Sequence, residues 1–241
     1  MSEATMGSGK KGSVWEDVLE VLWAPSTVFE RSAGAGVGLY MLVLTAILAI
    51  IVFATKGLLQ PYIDANYDLQ MIQLAKRGGK PIPAEAVAAG RTVAGYVFLG
   101  FSVLTPVIGG FFGGLTTWGG AKILGVPLTV GRAIFIATLS TVPRIVAVLA
   151  TAVQGAVLDS AGATSFFSAS LGPARFLDAT TASPAVLALL GSLDLFAVWG
   201  VVITAVGISV VARVSRGTGW AASVVAWGIA MALTLIPTAF S

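Results

Sequence analysis

The sequence predicts an all-α polytopic membrane protein, a bundle of five transmembrane helices with interfacial amphipathic helices at the N-terminus and in a loop. Two observations predict it. Between Arg31 and Lys56 there are 24 consecutive uncharged residues, and comparable runs recur after Arg91, around Arg144, before Arg213 and after Arg216; about 20 apolar residues cross a bilayer core as a helix. The 241-residue chain is also 56% hydrophobic and only 10% charged, too apolar to cover a water-soluble core. Its length suits one bundle without an additional soluble domain. The expected organisation is a flexible tail over residues 1–12 and one membrane domain over 13–241, with spans near 37–55, 92–121 (broken near Pro106), 133–158, 190–212 and 219–236.

Ser13-Val14-Trp15-Glu16 has the spacing of a capping box, so a helix starts there. Val14, Trp15, Val18, Val21 and Leu22 fall on one face, with Glu16, Asp17 and Glu20 opposite, until Pro25 ends the helix. This segment is expected at the membrane surface with Trp15 and Trp23 at headgroup level, or packed on the bundle by the same face. Trp15, Val18, Leu22, Trp23, Pro25 and Phe29 are its candidate contact residues for lipid or a partner. Thr27 and Glu30 have the spacing of a second capping pair.

After the first span, Pro61 suits the first turn of a loop helix whose face is Ile63, Tyr67, Met71, Leu74 and Ala75, stopped by Gly78-Gly79. Pro83-Ala84-Glu85 restarts a helix. The uncharged run from Thr92 to Ala121 exceeds one straight span, and Pro106 with Gly109, Gly110, Gly113 and Gly114 is the expected interruption. The third span carries Pro143-Arg144 near its middle. A Ser-, Thr-, Ala- and Gly-rich connection follows, with Phe166, Phe167 and Phe176 as anchors and Ser183-Pro184 as a cap and first turn. The fourth span has only 18 uncharged residues after Asp194, which places that carboxylate in the outer zone of the membrane. The fifth ends near Pro237.

Counted for an inside N-terminus, seven basic residues fall inside and six outside, and the two short loops around Lys122–Arg132 and Arg213–Arg216 are both basic. The N-terminus is therefore expected in the cytoplasm and the C-terminus outside. The absence of Cys and His removes disulfides, thiolate chemistry and the commonest metal ligand and general base. No metal site, cofactor or catalytic residue is expected. The net charge of +3 is scattered, which suits anionic headgroups and not nucleic acid.

Arg144 is the sharpest residue in the chain, because an arginine at mid-bilayer costs at least ~2.5 kcal/mol and turns to a partner or a wet cavity. Asp194 is its expected partner in an intramembrane charged pair, which either fixes helix register or serves transport or headgroup binding. Snorkelling is the other outlet for the arginine. The Gly109-x-x-x-Gly113 and Gly110-x-x-x-Gly114 spacings permit close helix packing; alternatively they mark a broken helix at a substrate site, with Pro143 as its counterpart.

Taken in order, Trp15 with Val18 and Leu19, Ala24-Pro25-Ser26, Phe29, Gly131-Arg132-Ala133, Pro143, Asp194-Leu195-Phe196, Trp199 and Gly207 give the chain a resemblance to the Yip family, the Ypt/Rab-interacting membrane proteins, in its short prokaryotic form. The resemblance implies five transmembrane helices and a cytoplasmic N-terminus. Its eukaryotic members act with small GTPases in vesicle traffic. The region ahead of the first span is shorter here than in Rab-linked relatives, which puts a small-GTPase partner in doubt, and the Ala- and Gly-rich character fits a bacterial inner membrane. The leading expectation is a non-enzymatic protein that organises membrane or binds lipids, a membrane-protein partner or a second copy of itself. The alternative is a small transporter, channel or lipid-handling protein built on Arg144, Asp194 and the broken second helix. An intramembrane enzyme is the third class.

Overall fold

The computed structural model describes residues 12–76, 78, 82–158 and 162–239; the expected tail lies outside these except for Gly12. Every regular element among the described residues is a helix, with no strand among them. Helix α1 (Val14–Glu20) opens on the expected capping box, Ser13 N–H donating to Glu16 Oε2 at 2.9 Å and Glu16 N–H to Ser13 Oγ at 3.2 Å. It ends before Pro25, which instead starts α2 (Pro25–Ser32) as a first-turn residue. Ala24 is the N-cap without a side-chain bond, so the Thr27–Glu30 cap does not form. A proline at this position needs no N–H partner and already holds the helical φ.

Helix α3 (Val37–Ala54) matches the first expected span, and α4 (Lys56–Lys76) follows after Thr55, starting five residues ahead of Pro61 and carrying it inside. Its buried positions are Leu59, Tyr62, Ile63, Ala65, Tyr67 and Leu69, while Leu74 and Ala75 are exposed. The covered face thus shares Ile63 and Tyr67 with the expected one but not its end at Leu74 and Ala75; α4 packs on neighbouring helices, its Leu58 carbonyl in the space left by Gly155 and its Tyr67 hydroxyl against Gly90. Gly78, at φ +77°, takes the chain out of the helix.

The expected broken span is two helices, α5 (Ala84–Val103) and α6 (Thr105–Ile123), of 20 and 19 residues and meeting at Leu104. Pro106 sits at the start of α6, but the glycine cluster is unbroken helix. Neighbouring backbone explains this. A Cβ at Gly114 would lie 2.6 Å from Ile134 Cα, so the glycines admit the antiparallel α7 (Val130–Ser140) instead of weakening α6. The α6–α7 loop turns at Gly125, φ +68°.

Helix α8 (Val142–Val157) continues from α7 after Thr141. Two 3₁₀ turns, Phe166–Ala169 and Pro173–Phe176, lead to α9 (Pro184–Gly191), capped by Ser183 as expected. Phe166 and Phe167 turn inward and Phe176 is 86% exposed. Helices α9 and α10 (Leu195–Val211) are bent by 56°, and α11 (Arg216–Ala239) closes the bundle.

Among the described residues, four helical segments are long and apolar enough to cross a membrane: Val37–Ala54, Ala84–Val103, Val130–Val157 and Arg216–Ile236; the bent α9–α10 pair makes a fifth if it is one span. The core lies where α2, α3, α7 and α10 meet. Phe135 takes Phe29 and Tyr40 edge-on, at centroid distances of 6.1 and 5.2 Å, and Gly207 lies against the Phe29 ring.

Candidate functional site

Three interruptions of helix, at Leu104, Thr141 and Ser192–Asp194, border one cavity of about 760 Å³. Hydroxyls line the cavity beside the Thr141 interruption. Thr141 Oγ1 donates to Thr138 O at 2.7 Å and Ser140 Oγ to Ile136 O at 2.9 Å, while the Thr204 hydroxyl lies 2.9 Å from both Ser140 Oγ and Gly200 O. Ser102, Thr105 and Thr116 add hydroxyls to the same wall, and Leu48, Val52, Leu59 and Phe98 make an apolar one.

Arg144 lies in the first turn of α8, at the midpoint of the 28-residue Val130–Val157 span, and shares a cavity-facing stripe with Val148 and Thr151. Its side chain is exposed to the cavity and makes no hydrogen bond or ion pair among the described residues. Asp194 lines the same cavity and acts on Arg144 through space.

The expected contact pair does not form, because Asp194 is already engaged. As the N-cap of α10 its Oδ1 accepts from Phe196 N–H at 2.9 Å, and its Oδ2 accepts from Ser170 Oγ at 2.8 Å and Leu171 N–H at 2.7 Å. Three short bonds hold the carboxylate in place, and they need no arginine.

The other expected positions divide. Gly109 and Gly113 line the cavity; Gly110 and Gly114 are buried against Thr138 and Ile134 of α7. Pro106 and Pro143 are both buried in first turns, so each starts a helix and neither kinks one. Of the proposed contact residues, Val18 and Phe29 are core, Leu22 and Pro25 are half-buried, and Trp15 and Trp23 are 54% and 70% exposed.

The sequence reading missed a second charged cluster. Asp17, expected on the polar face of α1, is fully buried. Its Oδ1 accepts from both Arg31 Nε, at 2.9 Å, and Arg31 Nη2; its Oδ2 accepts from Ser32 Oγ, at 2.6 Å, and from the Tyr40 hydroxyl. Arg31 also reaches Glu20 at 2.6 Å, and these two carboxylates raise its pKa above the ordinary arginine value. The signal was present: Asp17 falls three residues after Val14 and four before Val21, on the buried stripe.

No protein-family model matches the chain, and no curated protein or solved structure does.

Proposed function

We propose that this is a non-enzymatic membrane protein that binds an anionic ligand at Arg144 and passes it through the cavity, a small transporter or lipid-handling protein. The carrying observation is the unpaired guanidinium of Arg144 in a cavity of about 760 Å³. Ligand sites commonly measure about 300–1,000 Å³. A cation without a partner in an apolar span is costly, and its planar fork of donors matches a phosphate or carboxylate in bidentate fashion. The interrupted α5–α6, α7–α8 and α9–α10 helices around the cavity support the reading, because discontinuous helices at mid-membrane are how transporters expose backbone to substrate. Purified protein in vesicles is the test: anion or lipid flux should be present in the wild type and absent in a folded Arg144→Leu variant. Equal flux in both would sink the proposal.

A second reading rests on the exposed Trp15, Leu19 and Trp23 beside the paired charges of α1 and α2. It makes this segment a contact for lipid headgroups or a partner protein, the membrane-organising role that the Yip resemblance implies, with the N-terminus in the cytoplasm of a bacterial inner membrane and the C-terminus outside. Trp residues partition to headgroup level. Trp15→Ser with Trp23→Ser should weaken the protein's effect on vesicle shape, or lose a co-purifying protein, if the segment is that contact, and leave anion flux intact.

A further inference from the structure

We infer that the ligand of this cavity is an anionic amphiphile, its headgroup on Arg144 and its tail in the groove between α6 and α11, admitted sideways from the bilayer. The inference rests on the anion-binding reading of Arg144 and adds to it the class of molecule and its route.

The route follows from where the walls touch. Along one stripe of α6, a Cβ at Gly120 would lie 2.6 Å from Ala222 O and 2.7 Å from Ala226 N, so there α6 and α11 are in backbone contact. Further along the same stripe, a Cβ at Gly113 or Gly109 would meet only α7 or the α7–α8 junction, Ala137 at 3.4 Å and Thr141 at 3.3 Å, with no α11 atom within 4 Å. The two helices therefore part from Gly120 toward Thr105. On α11 the wall across the gap is Trp227, Ala230, Met231 and Thr234. Phe98 and Phe166, whose rings stack at 4.4 Å, make with Leu59 another, apolar part of the cavity wall. The gap that opens between α6 and α11 beyond Gly120, with that α11 wall across it, is the way in.

A free anion must shed its water to meet the guanidinium beside apolar walls such as Phe98 and Phe166, and stripping that water is costly. An amphiphile in the bilayer avoids that path: its tail passes from lipid to an apolar groove at little cost, since lipid tails and apolar side chains solvate it alike. Its headgroup meets a guanidinium that pairs with no described residue, in a cavity that Ser140, Thr141 and Thr204 also line.

The test uses full-length protein in a neutral maltoside detergent, with dodecyl phosphate, inorganic phosphate and dodecyl maltoside as probes and native mass spectrometry and equilibrium binding as readouts. Dodecyl phosphate should bind the wild type, with inorganic phosphate at millimolar concentration failing to displace it. Arg144→Gln should weaken binding at least about tenfold, the scale of a lost hydrogen bond to a charged group. The chain has no cysteine, so Ala230→Cys can be folded, purified and then alkylated with a bulky maleimide; the alkylated protein should lose dodecyl phosphate to a similar degree, and the unalkylated protein should not. If inorganic phosphate binds in an Arg144-dependent way and alkylation at position 230 has no effect, the ligand is a free anion: the amphiphile inference falls and the anion site stands. If neither phosphate binds, or binding ignores Arg144→Gln, both fall together.

Discussion

Arg31 and Arg144 are two arginines in largely apolar surroundings, each with an aspartate nearby, and they are treated in opposite ways. Arg31 spends its donors on Asp17 and Glu20, and Asp17 in turn is saturated by Ser32 and Tyr40. Three segments of chain are tied there: α1, α2 and the start of α3 are fixed to one carboxylate, beside the Phe29–Phe135 contact. Arg144 has Asp194 near it in the same cavity, yet the carboxylate is held by Phe196, Ser170 and Leu171 and the guanidinium is left over. A structural arginine is one whose geometry is finished within the chain. One left unfinished inside a cavity is a binding group awaiting its anion.

Mutations should separate the two, the largest effect falling on the finished cluster. Asp17→Ala should cost about 3–5 kcal/mol of stability, because Arg31, Ser32 and Tyr40 lose a shared buried partner; thermal unfolding in detergent measures it. Arg31→Leu added to Asp17→Ala should then cost much less than it does alone, and simple additivity would show that the cluster does not act as a unit. Gly114→Leu should cost at least about 1–3 kcal/mol by driving α6 off the Ile134 backbone, whereas Gly113→Ala, whose Cβ meets Ala137 at 3.4 Å, should be nearly silent.

Asp194→Ala should cost about 1–2 kcal/mol through the lost cap of α10 and the orphaned Ser170 and Leu171 donors, with Asp194→Asn retaining part of it. Arg144→Leu should change stability by less than about 1 kcal/mol, or raise it, since no bond is broken and a costly charge is removed. A large loss of stability in that variant would make Arg144 a structural residue like Arg31.

The pH dependence sharpens the same contrast. The folded-state pKa of Arg31 is raised by Asp17 and Glu20, so its contribution is fully present below the unfolded value and fades only as pH rises through the raised one. The stability difference between wild type and Arg31→Leu should therefore hold constant from pH 6 to pH 9, and a decline across that window would contradict the assignment.

Much of the helix layout was legible because it depends on local chemistry. The Ser13–Glu16 capping box, the Ser183 cap, the Gly78 stop and the first span at α3 follow from backbone donors that need partners and from apolar length. Of the two readings of the glycine cluster, the close packing is the one observed, against α7, while the interruption expected near Pro106 falls at Leu104 and not within the glycines, where the missing side chain is what the packing requires. Pro25, Pro106 and Pro143 mark helix starts, which a reading of proline as a terminator does not distinguish. Asp17 was assigned to the polar face because it is charged, although its spacing from Val14 and Val21 put it on the buried one.

By itself the sequence determined that this is a helical protein with several membrane-length apolar segments, no Cys or His chemistry, and two charges, Arg144 and Asp194, in its apolar half. Those properties are sums over residues or depend on near neighbours. Only the tertiary structure decided that Asp17 is core, that Asp194 caps a helix instead of pairing with Arg144, and that three helix breaks share one cavity. Each of these depends on which distant groups reach a carboxylate first, and short-range hydrogen bonds from Phe196, Ser170 and Leu171 claimed Asp194 before a guanidinium on another helix.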